Sequence, residues 1–301
     1  MPASRPQRLL VSGGRGRLAA LIADSFQAPD YDVALYSREA AGAFRDLQRL
    51  LDPAELVGAG ALLHLAWSTL PATSEQSPGQ EEREDLPRLE KLLAMLASLP
   101  TRPHFVFFSS GGTVYGNAPG RPNTENDPCH PIGRYGRAKV AAEEMIRAAA
   151  AKHDLPCAIL RISNPYGYPV PSGRVQGIIP HAIRAATEGR TLTLWGDGHA
   201  RKDFIHYTDF LAALRRVLAS RLTGTFNLGA GESHSVTEIL DLVARHTGRK
   251  IATTTTPAPS WDVQDSRLDI SRFKAATGWS PRTSLDEGIR RSTVGSRPPC
   301  P

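Results

Sequence analysis

Apolar residues in this chain fall into short continuous runs separated by longer stretches in which they recur at helical spacing. Leu9-Leu10-Val11, Ala61-Leu62-Leu63-His64-Leu65-Ala66 and Phe105-Val106-Phe107-Phe108 are of strand length and apolar on successive residues, the pattern of a strand covered on both faces. Tyr31-Asp32-Val33-Ala34-Leu35-Tyr36 reads as a further strand. Between these runs a helix is predicted from the glycines after Val11 towards Phe26. A second follows from Leu89, Leu92, Leu93 and Leu96 on one face of residues 86–99, and a third carries Tyr135 and continues to Ala151. Trp67 to Gln80 and Asn117 to Gly133 have the Pro, Ser, Thr, Asn and Gly content of loops. Strand alternating with helix from residue 9 onward implies an α/β fold built on a doubly wound parallel sheet.

Composition narrows the class. A chain of 301 residues has ample material for one large or two ordinary domains and reads as soluble and globular. Cys129, Cys157 and Cys300 are odd in number and widely spaced, which argues against a disulfide framework and a zinc site and fits a cytoplasmic protein. Met1 to Arg8 leads straight into Leu9 without a signal-peptide core, and no run approaches the ~18 apolar residues of a membrane span. The formal charge of +6 comes from scattered arginines, with no basic run or aromatic platform, so it is expected to serve an anionic nucleotide rather than a nucleic acid.

The chemistry is concentrated in a few stretches. Ser12 to Ala19, after the first strand, reads as a glycine turn opening a helix. Gly13 permits the tight turn, Gly16 lets the backbone approach a pyrophosphate, and Arg17 and Leu18 begin the helix, making these four the candidate cofactor contacts. After the second strand, where an acidic residue normally binds the adenosine ribose, Ser37 and Arg38 stand instead. An arginine there accommodates a 2′-phosphate, so NADP is an alternative to NAD. Tyr135 and Lys139, four apart, share a helix face; an ammonium favours the ionised form of a neighbouring phenol, so the pair can move a proton at an alcohol or ketone. Seven tyrosines and six lysines give such spacing by chance about once in seven sequences of this length, so its setting has to carry the case. Ser109 to Gly116 follows the Phe105 strand, at the end of a parallel strand where ligands bind. His64 reads as structural, and the leucine face as core.

In this order the glycine turn, His64-Leu65-Ala66, Ser109 to Gly116 and Tyr135/Lys139 resemble the extended short-chain dehydrogenase/reductases. The nearest group is the NAD-dependent epimerase/dehydratases of the UDP-glucose 4-epimerase-like kind. Leu160 to Gly167, Trp195-Gly196-Asp197-Gly198, Lys202 to His206, Phe226 to Gly229 and Leu268 to Ser271 extend the resemblance over roughly residues 9 to 291. It implies a Rossmann domain over 1–163 and a smaller substrate domain over 164–301, partly interleaved with the first and ending in a loose tail from Val294. It further implies NAD near Leu65 and Ala66, Tyr135 as base and acid, and Lys139 holding the nicotinamide ribose. Asn164, Gln176, Trp195 and Lys202 would bind a nucleotide-diphosphate sugar, in a protein that is often a homodimer. The family's third catalytic hydroxyl falls on Gly111 here, leaving Ser110 or Thr113 to supply it, and a phosphate-binding arginine falls on Pro259, with Arg174 or Arg267 as substitutes. The activity implied is nucleotide-sugar 4-epimerisation. The alternatives are an NADPH-dependent 4-ketoreductase, prompted by Ser37 and Arg38, and a non-catalytic dinucleotide sensor, prompted by Gly111, Pro259 and Lys202. The acidic pair used by dehydratases is replaced by Gly112 and Thr113.

Overall fold

The computed structural model describes residues 6–118, 120–168 and 177–294, in two units. The first comprises residues 1–110, 133–161 and 214–226; the second comprises 111–132, 162–213 and 227–301, so the two interleave along the chain. The expected loose tail from Val294 largely lies outside the described residues, and Val294 itself ends the helix Leu285–Val294.

The first unit is organised by a seven-stranded sheet. Its strands are β1 (Gln7–Ser12), β2 (Tyr31–Ser37), β3 (Phe44–Asp46), β4 (Ala61–His64), β5 (His104–Ser110), β6 (Cys157–Ile162) and an outermost strand, Gly224–Leu228. They lie in the order outermost strand, β6, β5, β4, β1, β2, β3. β1 pairs in parallel with β2 on one side and β4 on the other, Leu9 standing opposite both Val33 and Ala61. The order therefore reverses direction between β1 and β4, where doubly wound sheets open a crevice beyond the strand ends. Leu9, Leu10, Val11, Leu62 and Leu63 are fully buried. Covering a strand on both faces is what makes its sequence continuously apolar, and each such side chain contributes about 1.5–3 kcal/mol.

The leucine face forms as its spacing predicts, with Leu89, Leu92, Leu93 and Leu96 buried, but its helix begins earlier, at Gln80. The loop before it contains a short helix, Pro71–Gln76. The early turns escape the apolar pattern because their buried positions are Glu81 and Asp85. On the helix Arg134–His153 the buried face likewise includes polar groups, Lys139 and Glu143, between Ala138, Ala142 and Ile146. Among the described residues no helix is long and apolar enough to cross a membrane.

His64 closes the reversal point. Ser12 Oγ lies 3.0 Å from His64 Nδ1 and accepts the backbone N–H groups of Leu65 and Ala66, each at 3.1 Å. Burial, with the charges of Lys139 and Arg88, pulls the His64 pKa down to about 3. The ring is neutral, and its Nδ1 shares a hydrogen bond with the Ser12 hydroxyl. An unfolded histidine titrates near ~6.5, so between that pH and about 3 the unfolded chain binds a proton that the folded one refuses. Stability therefore falls as pH is lowered through this window, by about 3 kcal/mol from His64 between pH 7 and 4. His104, lowered to about 4, adds to the slope. Urea unfolding at both pH values should show a smaller loss for His64→Asn than for the wild type; equal losses would assign the acid sensitivity elsewhere.

In the second unit the strand Arg201–His206 pairs antiparallel with Ser233–Ser235 and in parallel with Asn164–Tyr166 and Asp265–Ser266. Its core gathers Tyr166, Ile179, Ile183, Phe204, Ile239, Val243 and Ile289. Asp203 is buried, accepts from Ala230 N at 2.8 Å and Gly231 N at 3.0 Å, and has its pKa raised by burial to about 6. A Cβ at Gly229 would lie 2.7 Å from this carboxylate, which explains the glycine after Phe226-Asn227-Leu228.

Candidate active site

The first unit carries a dinucleotide cradle. Gly13 has φ +75°, and a Cβ there would lie 2.8 Å from Ala66 N; at Gly14 it would meet Leu35 Cβ at 2.9 Å. Only glycine lets the turn lie this close to the end of β4. Gly16 closes the turn onto Gly13 O at 2.8 Å and is the N-cap of the helix Arg17–Ser25. That helix has no side-chain cap and no acidic residue in its first turn, so Arg17 and Leu18 open a helix end suited to a pyrophosphate. The cradle fits NAD. Leu65 and Ala66 flank it, with their amides committed to Ser12. At the predicted ribose end Arg38 pairs with Glu84 at 3.2 Å and Arg15 with Glu39 at 3.6 Å. Ser37 Oγ accepts Glu39 N at 3.3 Å. Arg38 and Arg15 both face carboxylates across exposed ion pairs.

Tyr135 and Lys139 share one helix face as the spacing predicts, the Lys139 ammonium lying 5.5 Å from the Tyr135 ring centre. Lys139 is buried, donates to Phe108 O at 3.0 Å, and lies 3.7 Å from the Trp67 ring centre. Burial pulls its pKa down to about 7, against the opposing pull of Asp85, Glu143 and Glu81. Tyr135 moves opposite to the simple expectation for a phenol beside a cation. Burial first, then the charges of Asp85 and Glu81, push it above its ordinary value. Sequence spacing identifies the neighbouring ammonium but conceals both the desolvation and the two acids from a distant helix.

Ser109 Oγ is taken by Glu143 at 2.5 Å, and Glu143 is also gripped by Arg161 at 2.7 Å. Ser110 is half-buried at the end of β5. In the second unit Thr113 Oγ1 is buried with no hydrogen-bond partner among the described residues, the condition of a hydroxyl that a ligand would satisfy.

The remaining candidates lie in the second unit. Asn164 Nδ2 donates to Asp203 O at 2.8 Å. Lys202 Nζ is 3.0 Å from Asp262 and also donates to Val263 O, so its charge is already balanced. Arg267 pairs with Asp265 at 2.8 Å. Trp195, 46% exposed, stands edge-to-face with Trp261 at 5.2 Å. Trp261 gives no signal in the sequence because it sits in a Pro- and Ser-containing loop without periodicity. Gln176 and Arg174 lie outside the described residues.

Comparison with known proteins adds an independent view. A family model described as the NAD dependent epimerase/dehydratase family matches residues 9–229. The UDP-glucose 4-epimerase of Mycolicibacterium smegmatis is 28% identical, over 95% of this chain and 97% of that protein. The dTDP-6-deoxy-L-talose 4-dehydrogenase (NAD(P)(+)) of Kitasatospora kifunensis is also 28% identical, over 96% and 95%. Among solved structures, the UDP-glucose 4-epimerase of Thermus thermophilus in complex with NAD gives a TM-score of 0.85 at 25% identity, covering 96% of this chain and 98% of that one.

Proposed function

Because the chain belongs to the NAD-dependent epimerase/dehydratase family, we propose that it is a nucleotide-sugar 4-epimerase that works through a transient 4-ketosugar. The observation that carries the reading is the Tyr135–Lys139 pair, the lysine buried and the tyrosine half-buried on one helix face, in a unit that also holds the glycine cradle. A dinucleotide sensor would have no use for that pair. The relatives support the substrate class, since those cited act on nucleotide sugars at carbon 4 by name.

Bound NAD supplies the hydride acceptor, and later the donor, for carbon 4. Tyr135, as the phenolate, takes the proton from the 4-hydroxyl as that carbon is oxidised and, as the phenol, returns it when the keto group is reduced on its other face. Lys139 holds the nicotinamide ribose and supplies the positive charge that favours the Tyr135 phenolate. Thr113 offers its unpaired hydroxyl to the reacting oxygen, with Ser110 as the other candidate. Asn164 and Lys202 bind the nucleotide-diphosphate part, and the exposed face of Trp195 stacks on the base. Cytoplasmic location and assembly as a homodimer belong to the same reading.

The test uses UDP- and dTDP-sugars deuterated at carbon 4, without added cofactor. The expected product is the 4-epimer with deuterium still at carbon 4, since hydride leaves and returns within one turnover. A protein that leaves these sugars unchanged but reduces a nucleotide 4-ketosugar with added NADPH, carrying hydrogen from it to carbon 4, would instead be a 4-ketoreductase. A second expectation concerns the cofactor itself: denatured fresh protein should release NAD rather than NADP by mass spectrometry, and Arg38→Ala should leave that content unchanged. Loss of NADP from the Arg38→Ala protein would restore the 2′-phosphate reading.

A further inference from the structure

Two buried carboxylates near the catalytic pair have no part in the reaction above. Glu81 and Asp85 are one turn apart in the helix Gln80–Ser98 and are 1% and 3% exposed. Asp85 accepts the Ser68 backbone N–H at 3.0 and 3.1 Å and the Ser68 hydroxyl at 2.5 Å. Glu81 accepts the Thr69 hydroxyl at 2.5 Å. The residue before this turn is Trp67, which covers Lys139 and packs edge-to-face on Phe107 at 6.0 Å. One helix thus fixes the turn whose tryptophan caps the catalytic lysine.

Hydrogen bonding alone does not account for these residue types. Ser68 and Thr69 need only acceptors, and neutral Asn or Gln would provide them without the cost of burying charge. The direct partners of both carboxylates are neutral groups apart from Arg88, 3.8 Å from Asp85. Other charges around Lys139 are spoken for. Glu143 on its own helix is engaged by Arg161 and Arg147, His64 on β4 is neutral, and β5 offers the Phe107 ring and the Phe108 carbonyl. Tyr135, also on its helix, has its pKa raised by the same burial and by the two acids.

We propose that Glu81 and Asp85 are positioning residues for Lys139: they pin the Ser68–Thr69 turn that lays Trp67 over the ammonium, and their buried charge keeps that group an ammonium. The inference rests on reading Lys139 as the partner of Tyr135. It gives the two acids opposite effects within the pair, holding Lys139 charged against the downward pull of burial and adding to the upward shift of Tyr135.

The test reads Lys139 directly. The chain has six lysines, so a protein labelled at the lysine ε-carbon gives few NMR signals, and the one missing from Lys139→Met identifies Lys139. In the wild type its titration should centre near pH 7. In Asp85→Asn, which keeps an acceptor for Ser68, the midpoint should fall by about one pH unit, the size of effect expected when one nearby opposite charge is lost. Glu81→Gln should shift it in the same direction. Both edges of the pH–rate profile should move towards acid, because Tyr135 and Lys139 each lose their negative neighbour. A merely structural role would lower activity at every pH without moving the midpoint. A Lys139 midpoint unmoved in both variants overturns the proposal. The titration needs no substrate, so a shift without epimer formation would sink only the assigned activity, and epimer formation without a shift only the present inference.

Discussion

Tyr135→Phe should lower 4-epimerisation by about 10²–10⁴-fold while leaving bound NAD and thermal stability nearly unchanged. The change removes one oxygen from a half-buried ring, and with it the group proposed to take and return the substrate proton. The ring's packing and its position 5.5 Å from the Lys139 ammonium are retained. Lys139 still donates to Phe108 O and stays under Trp67, so its helix has no reason to shift. Pairing turnover with NAD content separates lost chemistry from a lost site. Normal turnover would remove Tyr135 from the mechanism; absent NAD would make the hydroxyl part of the binding site instead. Because burial and the two acids hold the phenol above its ordinary value, the wild-type rate should climb from acid towards neutral pH.

The largest stability effect should come from Glu143→Ala, a loss of about 3–5 kcal/mol. Glu143 is fully buried and accepts Ser109, Arg161 and Arg147 together, while the Arg161 side chain is only 4% exposed. Removing the carboxylate takes the buried Arg161 guanidinium, on β6, away from its ion-pair partner inside the unit. For a chain of this size the melting temperature should drop by roughly 10 °C. Replacing Arg161 by methionine as well should recover most of the loss, because an apolar pair has no charge to strand. A Glu143→Ala protein that melts like the wild type would mean that the network is solvated.

What the sequence disclosed depends on how local its cause is. β1, β4 and β5 were legible because a doubly covered strand must be apolar at every position, and Gly13 because its turn allows no Cβ. The Tyr135–Lys139 alignment follows from helix geometry alone. The partners of Lys202, Arg38 and Glu81 were not legible, since each lies many residues away: Asp262, Glu84 and Thr69. Phe44–Asp46 is too short to show a period, and the Pro71–Gln76 helix is hidden in polar residues. The direction of the Tyr135 shift depends on desolvation, which only the assembled core determines.

The outermost strand of the large sheet, Gly224–Leu228, stands beside β6 although more than sixty residues separate them in the chain. Translation adds about 5–20 residues per second, so several seconds pass between the appearance of β6 and that of its neighbour. During that interval β6 is a bare sheet edge, its backbone donors and acceptors open to any passing strand. Ribosome-bound chains arrested while residues 163–223 are being made should therefore be the ones most prone to aggregate.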